Sequence, residues 1–243
     1  MNTLEREARI DLAAALRWAA RLGLSEGICN HFSLAVPGCE GRFLINPHGL
    51  HWSEVTPADL VVVDAEGRKV AGDYGVEPTA FFIHGAIHRG ARKPKCVMHT
   101  HMPHATALTV IEGARLQWAS QNALKFYGRV AYDGAYNGLA LNEQEGARMC
   151  ACLGDADVLF LANHGVIVCG PSVAAAFDDL YYLERACMLQ VLAGSEARLK
   201  VVPEEIARHT AGQMARDTLQ PELHLKALKR ILDREEPGWS RVD

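Results

Sequence analysis

The sequence of 243 residues contains no CxxC pair and no segment of low complexity. Its seven cysteines are odd in number, so we expect reduced, mostly buried thiols rather than a disulfide framework or a zinc-thiolate site. Lysine and arginine form no cluster longer than a few residues, and the formal net charge is −4. A phosphate backbone is bound by a concentrated basic surface, so no nucleic-acid partner is expected.

Long apolar segments are missing as well. The first residues, MNTLEREARIDLAA, are charged and helical in pattern, and they lack the apolar region of a signal peptide. No later segment reaches the run of about 18 apolar residues that indicates a transmembrane helix. The sequence therefore predicts a cytoplasmic protein without a membrane partner.

The composition is that of a folded chain. Hydrophobic residues make up 49% and charged residues 22%, so burial can offset the conformational entropy that folding costs. A chain of this length commonly builds one domain around one core. We predict a metal-binding catalytic domain over residues 1–200, followed by a helical extension over residues 201–243.

Helical and strand-like segments are mixed along the chain. Apolar residues at helical spacing predict helices at 2–22, 78–91, 103–111, 142–153, 172–193, 203–214 and 221–234. Short apolar runs between turn residues predict strands at 32–36, 43–46, 60–64, 95–99, 157–162 and 166–170. Because strict βαβ alternation is absent, we predict a three-layer α/β/α domain around a mixed, largely antiparallel sheet.

Eleven histidines are the unusual feature of the composition. His99 and His101 lie two residues apart at the end of a predicted strand, and side chains at i and i+2 project from the same face of a strand. His164 lies between two apolar runs, and Gly165 allows the chain to turn there. Three histidines predict a metal site with open positions for substrate or water. An HxH pair alone also arises by chance in a chain so rich in histidine.

Four blocks of sequence carry a resemblance to a known family. They follow one another within residues 5–195: GLSEGICNHFSL, FLINPHGLHWSEVTPADLVVVDAEG, VMHTH and LANHGVIVCGPSVAAAFDDLYYLERAC. The blocks resemble the class II aldolase/adducin family. The resemblance implies the α/β/α fold, a divalent metal ion held by His99, His101 and His164, and a homo-oligomer, commonly a tetramer with active sites at subunit interfaces. Zinc is the metal implied by the aldolases, and Fe(II) or Mn also suits imidazole ligands.

The sequence departs from the family at its acid/base position. Aldolases carry a glutamate nineteen residues before the first histidine of the HxH pair, where this chain has Ala80. The nearest carboxylate, Glu77, is a candidate catalytic replacement, and it otherwise belongs to a helix cap. If the site lacks the family glutamate, a carboxylate restored at position 80 is not expected to raise the native activity.

The phosphate-binding loops of the family are altered as well. Pairs that read glycine–asparagine, threonine–glycine and serine–serine in the aldolases are Cys29-Asn30, His48-Gly49 and Pro78-Thr79 here. Donors suited to an anion have been removed, since Pro78 has no N–H. The expected substrate is therefore a small, non-phosphorylated organic acid.

Side chains of the altered loops are candidates for binding that acid. His31 and His48 can hold a carboxylate where the aldolases hold phosphate. Asn30, Gly49 and Thr79 occupy positions that bind substrate in the family, so the resemblance implies the same role for them.

A helix after Glu77 carries a further catalytic candidate, His84. It shares a helix face with His88, and that face points either into the metal pocket or into solvent. Tyrosines crowd the region where aldolases supply one across the interface, and the sequence does not choose among Tyr127, Tyr132 and Tyr136.

Three functions remain open at this stage. The first is a metal-dependent aldolase or decarboxylase that cleaves a C–C bond of a small oxo or hydroxy acid. The second is an oxygen-activating enzyme that resembles the pyruvic oxime dioxygenases and uses the same three histidines for Fe(II). The third is a binding module similar to the adducin head domain, which would not need the metal triad.

Overall fold

The computed structural model describes residues 2–90, 92–194 and 199–242. Its α-helices are α1 (Thr3–Arg21), α2 (Pro78–Arg89), α3 (Pro103–Thr109), α4 (Gln121–Leu124), α5 (Glu143–Leu153), α6 (Val173–Ala193), α7 (Glu204–Arg216) and α8 (Gln220–Glu235). Its strands are β1 (His31–Ala35), β2 (Arg42–Ile45), β3 (Val61–Asp64), β4 (Lys69–Ala71), β5 (Cys96–Thr100), β6 (Val130–Asp133), β7 (Val158–Leu161) and β8 (Gly165–Gly170). A 3-10 helix, Pro57–Asp59, precedes β3. None of the described helices is long and apolar enough to cross a bilayer.

Helix starts follow local sequence signals. The side chains of Asn2, Asn142 and Ser172 each accept a hydrogen bond from a backbone N–H in the first turn of α1, α5 and α6. Prolines open α2 and α3, where a missing N–H costs nothing because the first-turn N–H groups have no helical partner.

All eight strands form one sheet in the order β4-β3-β2-β1-β5-β8-β7-β6. Neighbouring strands run antiparallel except β6 and β7, which are parallel. The prediction of a mixed, largely antiparallel sheet is confirmed. The β1–β5–β8 centre of this sheet carries the histidines discussed below.

Helices cover both faces of the sheet. On one face, α1, α3, α6 and α8 pack with side chains such as Leu16 and Phe177 against Met98 of β5. On the other face, α2 and α5 pack with side chains such as Ile83 against Val97. Adjacent residues of β5 thus enter different cores because side chains alternate along a strand. Burial of each large apolar side chain contributes about 2 kcal/mol. The three-layer arrangement is confirmed.

Four short elements were not predicted from the sequence: the 3-10 helix, α4, β4 and β6. Strand β6 lies inside the tyrosine- and glycine-rich stretch, where no alternation of polar and apolar residues marks it. It forms the edge of the sheet and pairs with β7, whose residues come much later in the chain, as Val130 with Val158. Pairing with a distant strand determines this element, and its own sequence does not.

The C-terminal segment packs against the rest of the chain. Leu225, Leu228 and Leu232 of α8 are buried in the cluster that also contains α1 and α6 residues. The Trp18 indole N–H donates to the Leu228 carbonyl at 3.1 Å. The boundary between residues 1–200 and 201–243 stays a prediction, and α8 belongs to the same core as the sheet.

Helices α2 and α5 touch where Gly146 has no side chain. A Cβ atom at Gly146 would lie 2.2 Å from the Phe82 carbonyl oxygen, so Gly146→Ala must push the helices apart. We expect this change to lower the free energy of unfolding by about 2–3 kcal/mol. Gly212→Ala on α7 is the control, since a Cβ added there would have no described atom within 4 Å, and it should stabilise by up to about 1 kcal/mol. Urea unfolding of both variants gives the signs, and equal effects would contradict this packing.

Candidate metal centre

Three histidines meet at the edge of the central strands. His99 lies on β5, His101 follows that strand directly, and His164 lies in the turn between β7 and β8. One ring nitrogen from each lies within 4.8 Å of the others, and the ring centroids are 4.7 to 5.1 Å apart. The three residues are 65 positions apart at most in the chain, and the β5–β8 pairing brings them together.

The alternation of side chains along a strand does not by itself place His101 in the cluster. It lies one residue beyond the end of β5, and its backbone N–H donates to Asn30 Oδ1 at 3.3 Å. Its Nδ1 lies 2.6 Å from Glu26 Oε2. The loop before β1 therefore orients this imidazole.

Gly165 is needed for close approach rather than for an unusual turn. A Cβ at this position would lie 2.5 Å from the Thr100 carbonyl oxygen and 2.9 Å from His101 Cδ2. The left-handed residue of the turn is Asn163, with φ 56°. Asparagine adopts this conformation more readily than most residues. The sequence analysis expected Gly165 to allow the turn, whereas the residue with the left-handed backbone is Asn163, two residues earlier.

Two rings of the cluster, those of His99 and His164, have lowered pKa values. Burial lowers the pKa of His99 well below its usual value, and the neighbouring histidines lower it further. Burial, followed by the charge of His101, lowers the pKa of His164 to about 4. These rings are neutral at pH 7, and neutral imidazole is the form that binds a metal ion.

Hydrogen bonds at the outer nitrogens leave the inner nitrogens free. His99 Nδ1–H donates to the Val166 carbonyl at 3.0 Å, and the Nδ1 of His101 faces Glu26. His101 Nε2 is buried and has no hydrogen-bond partner among the described residues. A buried unpaired nitrogen costs free energy unless something binds it. The residues therefore fit a divalent metal ion, with the outer partners that metal-binding histidines usually have.

Glu26 is a residue that the sequence analysis did not single out. We expect Glu26→Gln to weaken zinc binding about 10-fold, because the change removes the charge beside the His101 ring. The Glu26 carboxylate is exposed, so screening by water keeps the effect at the lower end of the usual range. Chelator competition measures the affinity. Glu66→Gln, an exposed glutamate outside the cluster, is the control. Equal zinc affinity in the two variants would contradict an orienting role for Glu26.

Asn30 connects the Glu26 loop to the histidines. It is buried in a left-handed conformation, φ 76°, and its Oδ1 accepts from the backbone N–H groups of Glu26 and His101. Its Nδ2 is buried and has no partner among the described residues. An amide group held by its oxygen offers its two N–H donors to a ligand.

Glu77 and Thr79 meet His31 beside the metal cluster. The His31 ring lies 4.9 Å from the His99 ring, because the two residues pair across β1 and β5. His31 Nε2 lies 3.5 Å from Glu77 Oε2 and 3.5 Å from Thr79 Oγ1. The Thr79 hydroxyl donates to the other oxygen of Glu77. The structure thus brings three of the predicted site residues together at the start of α2.

The remaining candidates lie in different surroundings. His84 is buried, and its Nε2 lies 2.8 Å from Nδ1 of His31. His48 and Gly49 are exposed in the turn after β2, and the His48 N–H donates to the Gly75 carbonyl. Among the described residues, no hydrogen bond joins His48 or Gly49 to the histidine cluster. Their role in substrate binding stays a prediction.

The three candidate tyrosines lie in different surroundings. Tyr136 is exposed and its ring lies 6.4 Å from the His164 ring. Tyr132 stacks on Phe160, and its hydroxyl accepts from the Leu116 N–H. Tyr127 donates to Glu204 of α7. Tyr136 is therefore the one of the three beside the metal cluster of its own chain.

Ala80 lies in an apolar environment. It is 1% exposed and belongs to a cluster of β2 and β3 side chains. The neighbours in that cluster are Phe43, Ile45, Val61 and Val63. The position that the resemblance assigns to the aldolase glutamate is thus part of the core between α2 and the sheet.

Comparison with known sequences and structures agrees with this fold. The profile described as "Class II Aldolase and Adducin N-terminal domain" matches residues 10–191. The chain belongs to the class II aldolase/adducin family. A relative from Pseudomonas aeruginosa named as an aldolase class 2 protein is 39% identical over 246 residues, which cover 98% of this chain and 94% of the relative. A solved aldolase II superfamily structure from Pseudomonas syringae has a TM-score of 0.89 and 37% identity, over 96% of this chain and 95% of that chain.

Two relatives have names that state a reaction. Decarboxylase NovR from Streptomyces niveus is 32% identical over 91% of this chain and 84% of its own length. A protein from Streptomyces roseochromogenus, named 4-hydroxy-3-prenylphenylpyruvate oxygenase/4-hydroxy-3-prenylbenzoate synthase, is 32% identical over 91% of this chain and 82% of its own length. These names describe the relatives, and they define the reactions to be tested for this chain.

Proposed function

We propose that this protein is a divalent-metal-dependent lyase that cleaves a C–C bond of a small, non-phosphorylated oxo or hydroxy acid. The observation that carries the proposal is the cluster of three imidazoles, in which His101 Nε2 is buried without a partner among the described residues. A divalent ion held by His99, His101 and His164 would polarise an oxygen of the substrate and stabilise negative charge that develops there. Zinc is the first metal to test, followed by Fe(II) and Mn.

The protein's own residues supply binding and proton handling. The Nδ2 of Asn30, which has no partner among the described residues, offers N–H donors to a carboxylate. Glu77 and His31, 3.5 Å apart, are placed to hold or move a proton beside the cluster, with Thr79 orienting Glu77. Pro78 removes an N–H from the start of α2, which weakens that helix end as a phosphate site.

Decarboxylation is the favoured form of the reaction. Retro-aldol cleavage needs a positioned carboxylate to shuttle a proton, and Ala80 offers none. Loss of carbon dioxide makes a smaller demand on such a base. The relative named as a decarboxylase supports the same choice.

Oxygenation is the second candidate, because one relative is named as an oxygenase. The decisive experiment is anaerobic purification and metal quantitation, followed by a screen of pyruvate-derived and aromatic hydroxy acids with and without oxygen. Release of carbon dioxide without oxygen supports the lyase. Stoichiometric oxygen uptake by the Fe(II) form supports the dioxygenase, and a folded protein that binds no metal supports an adducin-like binding module.

Assembly is a separate expectation from the family. The segment around Tyr136 exposes apolar side chains, among them Leu139 and Leu141. We expect a homo-oligomer, with a tetramer as the first hypothesis, because oligomerisation would cover such side chains. Light scattering at micromolar concentration measures the mass, and a monomer mass alone would contradict the expectation.

A further inference from the structure

A chain of hydrogen bonds runs from His31 into the protein interior. His31 Nδ1 lies 2.8 Å from His84 Nε2, and His84 Nδ1 contacts the Ser33 hydroxyl. The same hydroxyl lies 2.7 Å from His88 Nε2, and His88 Nδ1 lies 2.9 Å from the Pro94 carbonyl oxygen. All four side chains are buried. Ser33 was not singled out from the sequence, although it lies two residues after His31 and so faces the same side of β1.

The three histidines of this chain are neutral. All three rings are buried, with 2 to 6% of each residue exposed, and burial away from water disfavours a charged imidazole. Burial also lowers the pKa of His88, to about 4, although the Pro94 carbonyl opposes the change. The His88 ring stacks on Phe43 at 4.3 Å, which keeps water from it. Each ring therefore has one N–H donor and one acceptor nitrogen at pH 7.

One fixed acceptor then sets the direction of every bond. The Pro94 carbonyl can only accept, so His88 carries its proton on Nδ1 and presents Nε2 as an acceptor. The Ser33 hydroxyl has one proton, which it donates to His88. Ser33 therefore accepts from His84 Nδ1–H, and His84 Nε2 accepts from His31 Nδ1–H. The lone pair of His31 is left on Nε2, the nitrogen that faces Glu77.

Two acceptors consequently face each other beside the metal cluster. His31 Nε2 and Glu77 Oε2 are 3.5 Å apart, and the nearby Thr79 hydroxyl donates to Glu77. Two acceptors at this distance are stabilised when a hydrogen-bond donor is shared between them. The Thr79 hydroxyl, 3.5 Å from His31 Nε2, gives its one proton to Glu77, so a ligand is the natural source of a donor to His31.

We propose that His88, Ser33 and His84 are positioning residues that hold His31 as its Nδ1–H tautomer, so that His31 Nε2 and Glu77 select a substrate with a hydroxyl donor. The inference rests on the proposed function and narrows its substrate class to hydroxy acids, including enolic forms of oxo acids. Fixing the tautomer of His31 adds no charge to the site, because the hydrogen bonds set only which nitrogen carries the proton.

The tautomer itself is the first test. Zinc-loaded protein with ¹⁵N-labelled histidine is examined by two-dimensional NMR at neutral pH, and the His31 signals are assigned by their loss in His31→Gln. A single Nδ1–H tautomer at His31 is the expected result. Ser33→Ala should turn it into a mixture, and Ser33→Thr, which keeps the hydroxyl, should restore it. A His31 that carries its proton on Nε2, or that keeps one tautomer in Ser33→Ala, overturns the proposal.

Ligand selectivity is the second test. Glycolate and methoxyacetate both offer a carboxylate and a second oxygen, and only glycolate offers a hydroxyl donor. We expect the zinc-loaded protein to bind glycolate about tenfold more tightly, the scale of one hydrogen bond. The preference should fall below about threefold in Ser33→Ala, with unchanged zinc content, and return in Ser33→Thr. An equal preference in wild type and Ser33→Ala overturns the proposal.

The two proposals fail in different experiments. The NMR spectrum reports the tautomer of His31 without any turnover, and the selectivity ratio needs only bound zinc. Absence of C–C cleavage in the substrate screen would remove the proposed lyase function while these two measurements still decide the role of Ser33 and the buried histidines.

Discussion

Replacing His99, His101 or His164 with alanine is expected to lower metal affinity by more than about 100-fold, beyond the effect of losing an outer hydrogen-bond partner. Activity should fall with the metal content, since each imidazole supplies one of three ligands. The fold should remain, because an open catalytic site contributes less to folding than a closed structural one. Metal quantitation, circular dichroism and urea unfolding are the measurements.

His51→Ala is the matched control for these variants. His51 is exposed and forms hydrogen bonds with Ser53 and Glu54 in the loop before β3, so its loss should leave metal content unchanged. If one of the three cluster variants keeps full metal content and activity, the assignment of the triad is wrong.

Ala80→Glu is expected to destabilise the protein by about 3–5 kcal/mol, the usual cost of an uncompensated buried charge. The added side chain would start from a position that is 1% exposed and packed against Phe43, Ile45 and Val61. Native activity should therefore not rise. Urea unfolding and an activity assay at a temperature where the variant is folded test both statements.

Two controls separate the causes. Ala80→Gln has nearly the volume of glutamate without the charge, so its smaller loss of stability measures overpacking alone. Pro78→Glu places the same charge on an exposed position two residues earlier, in the first turn of α2, where a carboxylate is favourable. A gain of aldol cleavage in Ala80→Glu, together with loss of activity in Glu77→Gln, would instead indicate an impaired aldolase.

Local sequence predicted most of the elements within a few residues. Helix α6 is an example, with a serine cap and a long apolar face, and its observed bounds differ from the prediction by one residue at the start. Helix starts and apolar periodicity depend on neighbours in the chain, which is why they are legible in sequence. Strand β6 was missed because its pairing with β7 is nonlocal.

For the site, the sequence indicated the residue types but not the contacts between them. The MHTH segment and the NHG turn indicated a three-histidine cluster, and the resemblance indicated where substrate groups belong. Nothing in the spacing of Glu26 and His101, 75 positions apart, predicts their hydrogen bond. The burial of Ala80 depends equally on how α2 lies across β2 and β3.

The sequence by itself determined the family, the layered α/β/α architecture and the candidate ligands His99, His101 and His164, because these follow from short motifs and from patterns repeated along each element. Tertiary structure decided which nitrogen of each histidine is free. Val166 and Glu26 accept from the His99 and His101 rings only after strands and loops from distant parts of the chain come together. The direction of a hydrogen bond depends on which acceptor the fold places beside each ring, and that information is not present in the order of residues along any one segment.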